Sequence, residues 1–397
     1  MGTTKNRLLD LTRLVSRAGR VLTGVDRVEF AYLTHLLAAP EPLFGLVRTG
    51  LGYILLDRNG CRALRDHVER GDWGHASALA RLAQRRDPLR AAAENTLRKL
   101  CIDRCVPFRL HRMLDRHLTG TTTYINTGHS NLTDRVTSAV KALPSARIAV
   151  LVHDTIPLDF PQYQRPGTPD RFASFLRRVG RDADLVICNS EQTQTDIARH
   201  LGSSLPETVM AHLGVDMPRP STPPDGPWSG SPYFVTLGTI EPRKNHAFLL
   251  DVWQDVPNAH LLICGHRGWN NDAVFAQLDA GPPRVHELPG LPDAAIFGLM
   301  QNATGHVFPS LAEGFGLPPV EAAALGVPVL CNDLPIYREV LGDIPIYASV
   351  RDRYLWLEQI KRLVDEQQTQ ENNASRVAKG TKPPSWDAHF KTVLRLI

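Results

Sequence analysis

No two of the six cysteines form a CxxC pair, no apolar run reaches about 18 residues, and aromatics make up only 7% of the chain. Cys61, Cys101, Cys105, Cys188, Cys264 and Cys331 are therefore read as reduced thiols, several of them in buried strand-like runs such as LVIC and LLIC. Without a long apolar run there is no candidate spanning helix. The start, MGTTKNRLLDLTRL, has no signal-peptide core, so a cytoplasmic protein is expected. Neither sign of charge dominates: 45 Lys and Arg against 41 Asp and Glu leave a net charge of +4. That bias alone does not argue for nucleic acid, and no RRM-type, zinc-finger or basic-zipper pattern accompanies it, so no nucleic-acid partner is expected. No convincing Asp-x-Asp or histidine cluster offers a metal site.

What is present is ordinary globular sequence, 43% hydrophobic and 22% charged. The length of 397 residues is too great for one ordinary core and suits two domains of about 150–200 residues each. The densest proline, glycine and serine stretch, MPRPSTPPDGPWSGSP at 217–232, reads as the linker between them. The expected units are 1–216, then 233–383, with a last amphipathic helix at 384–397 that either closes the second unit or crosses back to the first.

In the first unit, RLLDLT (7–12), TTYINT (122–127), the run from Ala146 to Val152 and ADLVIC read as strands, with LFGLVRTGLGYILL as a hairpin. A helix is expected from Val25, with Thr23-Gly24 before it and Arg27 in its first turn. Its start is either a plain βα turn or a second anion or sugar contact. Residues 61–118 read as helical and arginine-rich. They are either solvated faces of core-packed helices or a basic amphipathic surface for an anionic membrane or a lipid-phosphate acceptor. His153-Asp154 ends a strand, and a proline-rich loop runs on to about Pro169. Asn189-Ser190 caps a further helix, and AHLGVD (211–216) completes the unit.

The second unit alternates strand and helix regularly, which implies a parallel sheet covered on both faces, with ligands at the carboxyl ends of its strands. GTIEPRKN (238–245) sits at such an end. Adjacent Arg243 and Lys244 suit a diphosphate, the first by planar bidentate contact and the second as a point charge. GHRGW places Arg267 after the next strand, and GLPD follows another. The stretch FPSLAEGFGLPPVEAAALGVPV (308–329) puts Glu313 before a glycine-opened helix that carries Glu321. Such a helix start offers N–H groups to an anion, and Gly314 and Gly316 admit a close ligand. Two acids beside a phosphate site point to the hydroxyls of a nucleotide-activated sugar. The bland alternative is a βα turn with both glutamates solvated.

These residues resemble the family 4 glycosyltransferases, retaining enzymes of the GT-B fold. The G-x-x-x-x-R-K pattern matches Gly238 through Arg243-Lys244, and the E-x7-E pattern matches Glu313 and Glu321. HDTIPLDFP and EGFGLPPVEA look most like mannosyltransferases of bacterial surface-polysaccharide assembly. The resemblance implies an α/β architecture of two facing Rossmann-like domains with the active site in the cleft, and a last helix crossing back to the first domain. It implies that Arg243 and Lys244 neutralise the donor diphosphate and that Glu313, with backbone amides at Gly314, Phe315, Gly316 and Leu317, holds sugar and phosphate. It further implies that Glu321 takes the ribose, that residues near Leu291 cradle the base, and that Arg267 lines the same rim. Gly24 would leave room for donor or acceptor, and His153 would touch the donor sugar. The usual double-glycine first loop appears here as Leu22-Thr23-Gly24. No cofactor or metal is implied. The co-substrate is a nucleotide-diphosphate sugar, GDP-mannose first, and the acceptor a glycan or lipid-linked saccharide, with peripheral contact to the inner face of an anionic membrane. Competing functions are a GT-B sugar-nucleotide epimerase, a phosphorylase, or a non-catalytic scaffold of a polysaccharide assembly complex.

Overall fold

The computed structural model describes residues 5–75, 87–369 and 381–397. The parts of the arginine-rich stretch at 76–86 and of the second unit at 370–380 lie outside the described residues.

Two sheets organise the chain. The first runs β4-β3-β2-β1-β5-β6-β7-β8. Its strands are β1 (Lys5–Asp10), β2 (Leu43–Thr49), β3 (Gly52–Leu56), β4 (Asp103–Cys105), β5 (Thr121–Asn126), β6 (Arg147–Val152), β7 (Leu185–Cys188) and β8 (Glu207–Met210). All neighbours are parallel except β2–β3 and β3–β4. The second sheet, β11-β10-β9-β12-β13-β14, is wholly parallel. It is built from β9 (Tyr233–Leu237), β10 (His260–Cys264), β11 (Val285–Glu287), β12 (Gly305–Phe308), β13 (Val329–Cys331) and β14 (Ile346–Tyr347).

β6, β7 and β10 are apolar at nearly every position because helices cover both faces. β7 is buried throughout, and so is β6 beyond its first residue. Each sheet accordingly separates two apolar clusters, one on each face. All six cysteines are free, and Cys61, Cys188, Cys264 and Cys331 are buried.

Three stretches differ from their sequence expectation. Residues 61–118 are not wholly helical, since Asp103–Cys105 adds a short edge strand antiparallel to β3. Three residues are too few to show a period, so only the pairing reveals it. The strand Glu207–Met210, just ahead of AHLGVD and paired with β7, lies where no element was expected. The loop after His153 contains a helical turn at Ile156–Asp159 and a 3₁₀ turn at Pro161–Tyr163.

The last helix, Trp386–Val393, packs on the first domain. Phe390 and Val393 are buried in the same cluster as Tyr32 and Leu36 of the helix Gly24–Ala38. The Tyr32 hydroxyl lies 2.8 Å from His389 Nε2, and the Val215 N–H donates to the Pro384 carbonyl. The chain thus enters the second domain and returns, tying the two together at residues 214–216 and 384–386.

Candidate active site

The site forms where the carboxyl ends of the two sheets face each other. From the second domain, the strand β9 leads into GTIEPRKN, whose Pro242–Lys244 makes a 3₁₀ turn. Asn245, at φ 57°, ends that turn in the left-handed region before the helix His246–Trp253. The turn aims both cations inward. Arg243 Nη1 lies 2.7 Å from Glu313 Oε1 and donates to the Ala312 carbonyl, and Nη2 pairs with Glu241. Lys244 Nζ lies 2.6 Å from the same Glu313 oxygen and 4.5 Å from the Phe308 ring centroid. A Cβ on Gly238 would meet the Lys244 side chain at 3.2 Å.

Burial opposes the charge of Glu313, yet Arg243 and Lys244 overcome it and hold the carboxyl down to about 2. Burial also lowers the Lys244 ammonium despite the nearby carboxylate. With Nζ 2.6 Å from an ionised oxygen, the ion pair governs the site at neutral pH. The two cations are balanced by Glu241 and Glu313.

After Glu313 the backbone turns through Gly314-Phe315-Gly316 into the helix Leu317–Ala324. Gly316 is its N-cap at φ 84°, and a Cβ there would lie 2.6 Å from the Tyr337 ring. A Cβ on Gly314 would lie 2.6 Å from the His153 carbonyl of the first domain, so glycine is what lets the domains meet. The helix begins Leu317-Pro318-Pro319, and the prolines bring no N–H. The free amides are therefore those of Gly314, Phe315, Gly316 and Leu317, none of which donates to a protein acceptor among the described residues. The Phe315 side chain points elsewhere: it is buried in a first-domain cluster, edge-on to His212.

From the first domain, β6 delivers His153 and Asp154. The His153 Nε2–H donates to the Thr127 carbonyl at 2.7 Å, and burial pushes its imidazole down to about 4, so it is neutral. Nδ1 has no partner among the described residues. Burial pushes the Asp154 carboxyl up to about 6, with Arg243 acting the other way. Gly24 opens the helix Gly24–Ala38, and a Cβ on it would touch Leu317 at 3.5 Å.

Arg27, one turn further, was not among the expected site residues. It reaches across the cleft, with Nη1 2.9 Å from Glu321 and Nη2 2.7 Å from Asp293. Glu321 is 2% exposed, and burial raises its carboxyl while Arg27 counters that. Leu291 packs partly buried against the second-domain core. The Arg267 guanidinium is engaged by Glu287 and Asp279, and no contact joins it to Arg243, Lys244 or Glu313 among the described residues. Neighbouring Trp269 and Asn270 instead donate to the Tyr163 and Gln164 carbonyls of the first domain. Between the domains opens a cleft of about 430 Å³ lined by Asp154, Phe160, Gln192, Arg199, Glu313 and Pro335. Among the described residues, no three His, Cys, Asp or Glu side chains gather as a metal site.

Residues 221–379 match the family model of glycosyl transferases group 1. That stretch of the chain is similar to group 1 glycosyl transferases. The chain is 30% identical over 223 residues to the serotype-specific mannosyltransferase WbdA of Escherichia coli. The match takes in 50% of this chain and 27% of WbdA. It is 36% identical over 132 residues to the O-antigen chain mannosyltransferase B of Escherichia coli, covering 32% of this chain and 34% of that protein. The chain thus spans about a quarter to a third of the length of these curated relatives. In three dimensions it is similar to Anabaena Alr3699/HepE in complex with UDP-glucose. The TM-score is 0.62 at 15% identity, over 98% of this chain and 95% of that one. The fold is GT-B, and the second domain supplies Arg243, Lys244, Glu313 and Glu321 to its cleft.

Proposed function

We propose that this protein is a retaining hexosyltransferase. It moves mannose from GDP-mannose to a glycan or lipid-linked saccharide during surface-polysaccharide assembly. The observation that carries this reading is the convergence of Arg243, Lys244 and four unpaired amides on the loop of Glu313. A diphosphate arriving there would offer both cations a doubly charged partner and draw them from Glu313. The freed carboxylate would then face the sugar hydroxyls. Charge building on the departing phosphate is met by fixed cations and helix-start amides inside a low-dielectric cleft, the arrangement that stabilises such a leaving group. No metal is needed for that step on this reading. Neutral His153, fixed through Nε2, presents Nδ1 as an acceptor for a sugar hydroxyl, and Glu321 accepts from the ribose. Retention then follows from acceptor attack on the face the nucleotide leaves. The mannosyltransferase relatives support the sugar; the base is the inference least tied to a side chain.

Incubation with GDP-mannose, with and without a mannose-terminated oligosaccharide, tests the reading. It predicts GDP release that depends on acceptor and an α-linked product by NMR. A donor sugar epimerised without acceptor would replace the reading with an epimerase, and a donor left intact in every mixture would replace it with a scaffold.

A further inference from the structure

Five of the nine large apolar side chains that stand exposed among the described residues lie along one edge of the first sheet. They are Leu51, Leu100, Ile102, Val106 and Phe108, the last 78% exposed. The edge strand β4 explains their gathering. It pairs with β3 on one side only, so Ile102, Arg104 and Val106 alternate outward while Cys101, Asp103 and Cys105 turn in. A Cβ on Gly52 would lie 3.2 Å from the Val106 Cα, which brings the β2–β3 turn and its Leu51 alongside. Phe108 follows in the 3₁₀ turn Pro107–Arg109.

Cations surround this apolar ridge. Lys99, Arg104, Arg109 and Arg112 are exposed, and none has an acid partner among the described residues. Arg109 instead lies 5.7 Å above the Phe108 ring. The nearby Asp103 is already taken by Arg116 and His117.

We propose that this edge docks the protein on an anionic lipid bilayer, with Phe108, Val106 and Ile102 entering the interface and the four unpaired cations meeting lipid phosphates. Exposed apolar surface rimmed by polar groups marks an interaction site, and unpaired cations around it select an anionic partner. Nucleic acid would leave the apolar ridge against a polar, charged surface. A second copy pairing along β4 would bring Arg104 and its neighbours against like charges. A bilayer satisfies both components, since its anionic surface attracts the cations while its interface takes the apolar side chains. The surface is separate from the donor cleft, and a lipid-linked acceptor would be met there.

The test is sedimentation of the full chain with phosphatidylcholine vesicles, with and without phosphatidylglycerol, at rising salt. Val106→Ser/Phe108→Ser and Arg104→Gln/Arg109→Gln run beside the wild type. Their melting temperatures should stay at the wild-type value, since all four side chains are exposed. Binding only to the anionic vesicles, weakened by salt and lowered roughly tenfold or more in both variants, is the expected result. Equal binding to neutral vesicles, no binding, or variants that bind like wild type would overturn it. So would a dimer on gel filtration that Val106→Ser/Phe108→Ser splits, because a second copy would then cover the ridge. Nucleotide binding is not needed for any of these outcomes, so this inference and the transferase reading fail separately.

Discussion

Arg27 and Glu321 stand 294 positions apart in sequence and 2.9 Å apart across the cleft. Arg27 takes one oxygen of Glu321, while the other has no partner among the described residues. That division suits a carboxylate paired with the first domain through one oxygen and left with the other to accept hydroxyls bound to the second. Removing either side chain then removes the same contribution. In a cycle of Arg27→Ala, Glu321→Gln and the double variant, donor affinity should show a coupling of about 1–2 kcal/mol. Titration calorimetry reads it, and losses that simply add would mean Arg27 acts independently. This pair also marks the reach of sequence reading at the residue scale. Arg243, Lys244, Glu313 and Glu321 are legible because each lies on a short local pattern at a strand end. Nothing local announces that Arg27 meets Glu321, that Phe315 belongs to the other domain's core, or that Arg267 is engaged by Glu287 and Asp279. Those facts depend on how two domains meet.

At the scale of elements, the helix Trp386–Val393 carries a clear prediction. Phe390 is 1% exposed and stacks on His35, with ring centroids 3.8 Å apart and Tyr32 edge-on at 4.9 Å. Phe390→Ala deletes a buried aromatic from the first domain's core and should cost about 3–5 kcal/mol. In a domain of this size that lowers the melting temperature by on the order of 5–15 °C. An unchanged melting curve would mean that the helix does not pack there in solution. The apolar positions of this helix are legible in the sequence, but both ways of docking it satisfy them. The buried strands are equally legible because two-sided burial writes continuous apolar runs. The edge strand Asp103–Cys105 escapes for the opposite reason, being short and half exposed. The helices Thr168–Asp182 and Arg353–Thr369 lie in stretches where no element was expected.

For the whole molecule, the cleft is where the two sheets and the returning helix converge. It closes through contacts on several sides: Arg27 to Glu321 and Asp293, Trp269 to Tyr163, and Glu339 accepting from the Glu191 and Gln192 amides. A donor bound between the domains should stabilise both at once, because it binds the folded cleft and not the unfolded chain. The most direct measurement is therefore a thermal-shift screen against GDP, UDP, ADP and TDP and their common sugars, with Lys244→Ala in parallel. The account predicts that GDP and GDP-mannose raise the melting temperature of the wild type and leave Lys244→Ala unmoved. Stabilisation by UDP instead would change the base and keep the site. A melting temperature that no nucleotide raises, or a shift that persists in Lys244→Ala, would contradict a donor diphosphate held by Arg243 and Lys244.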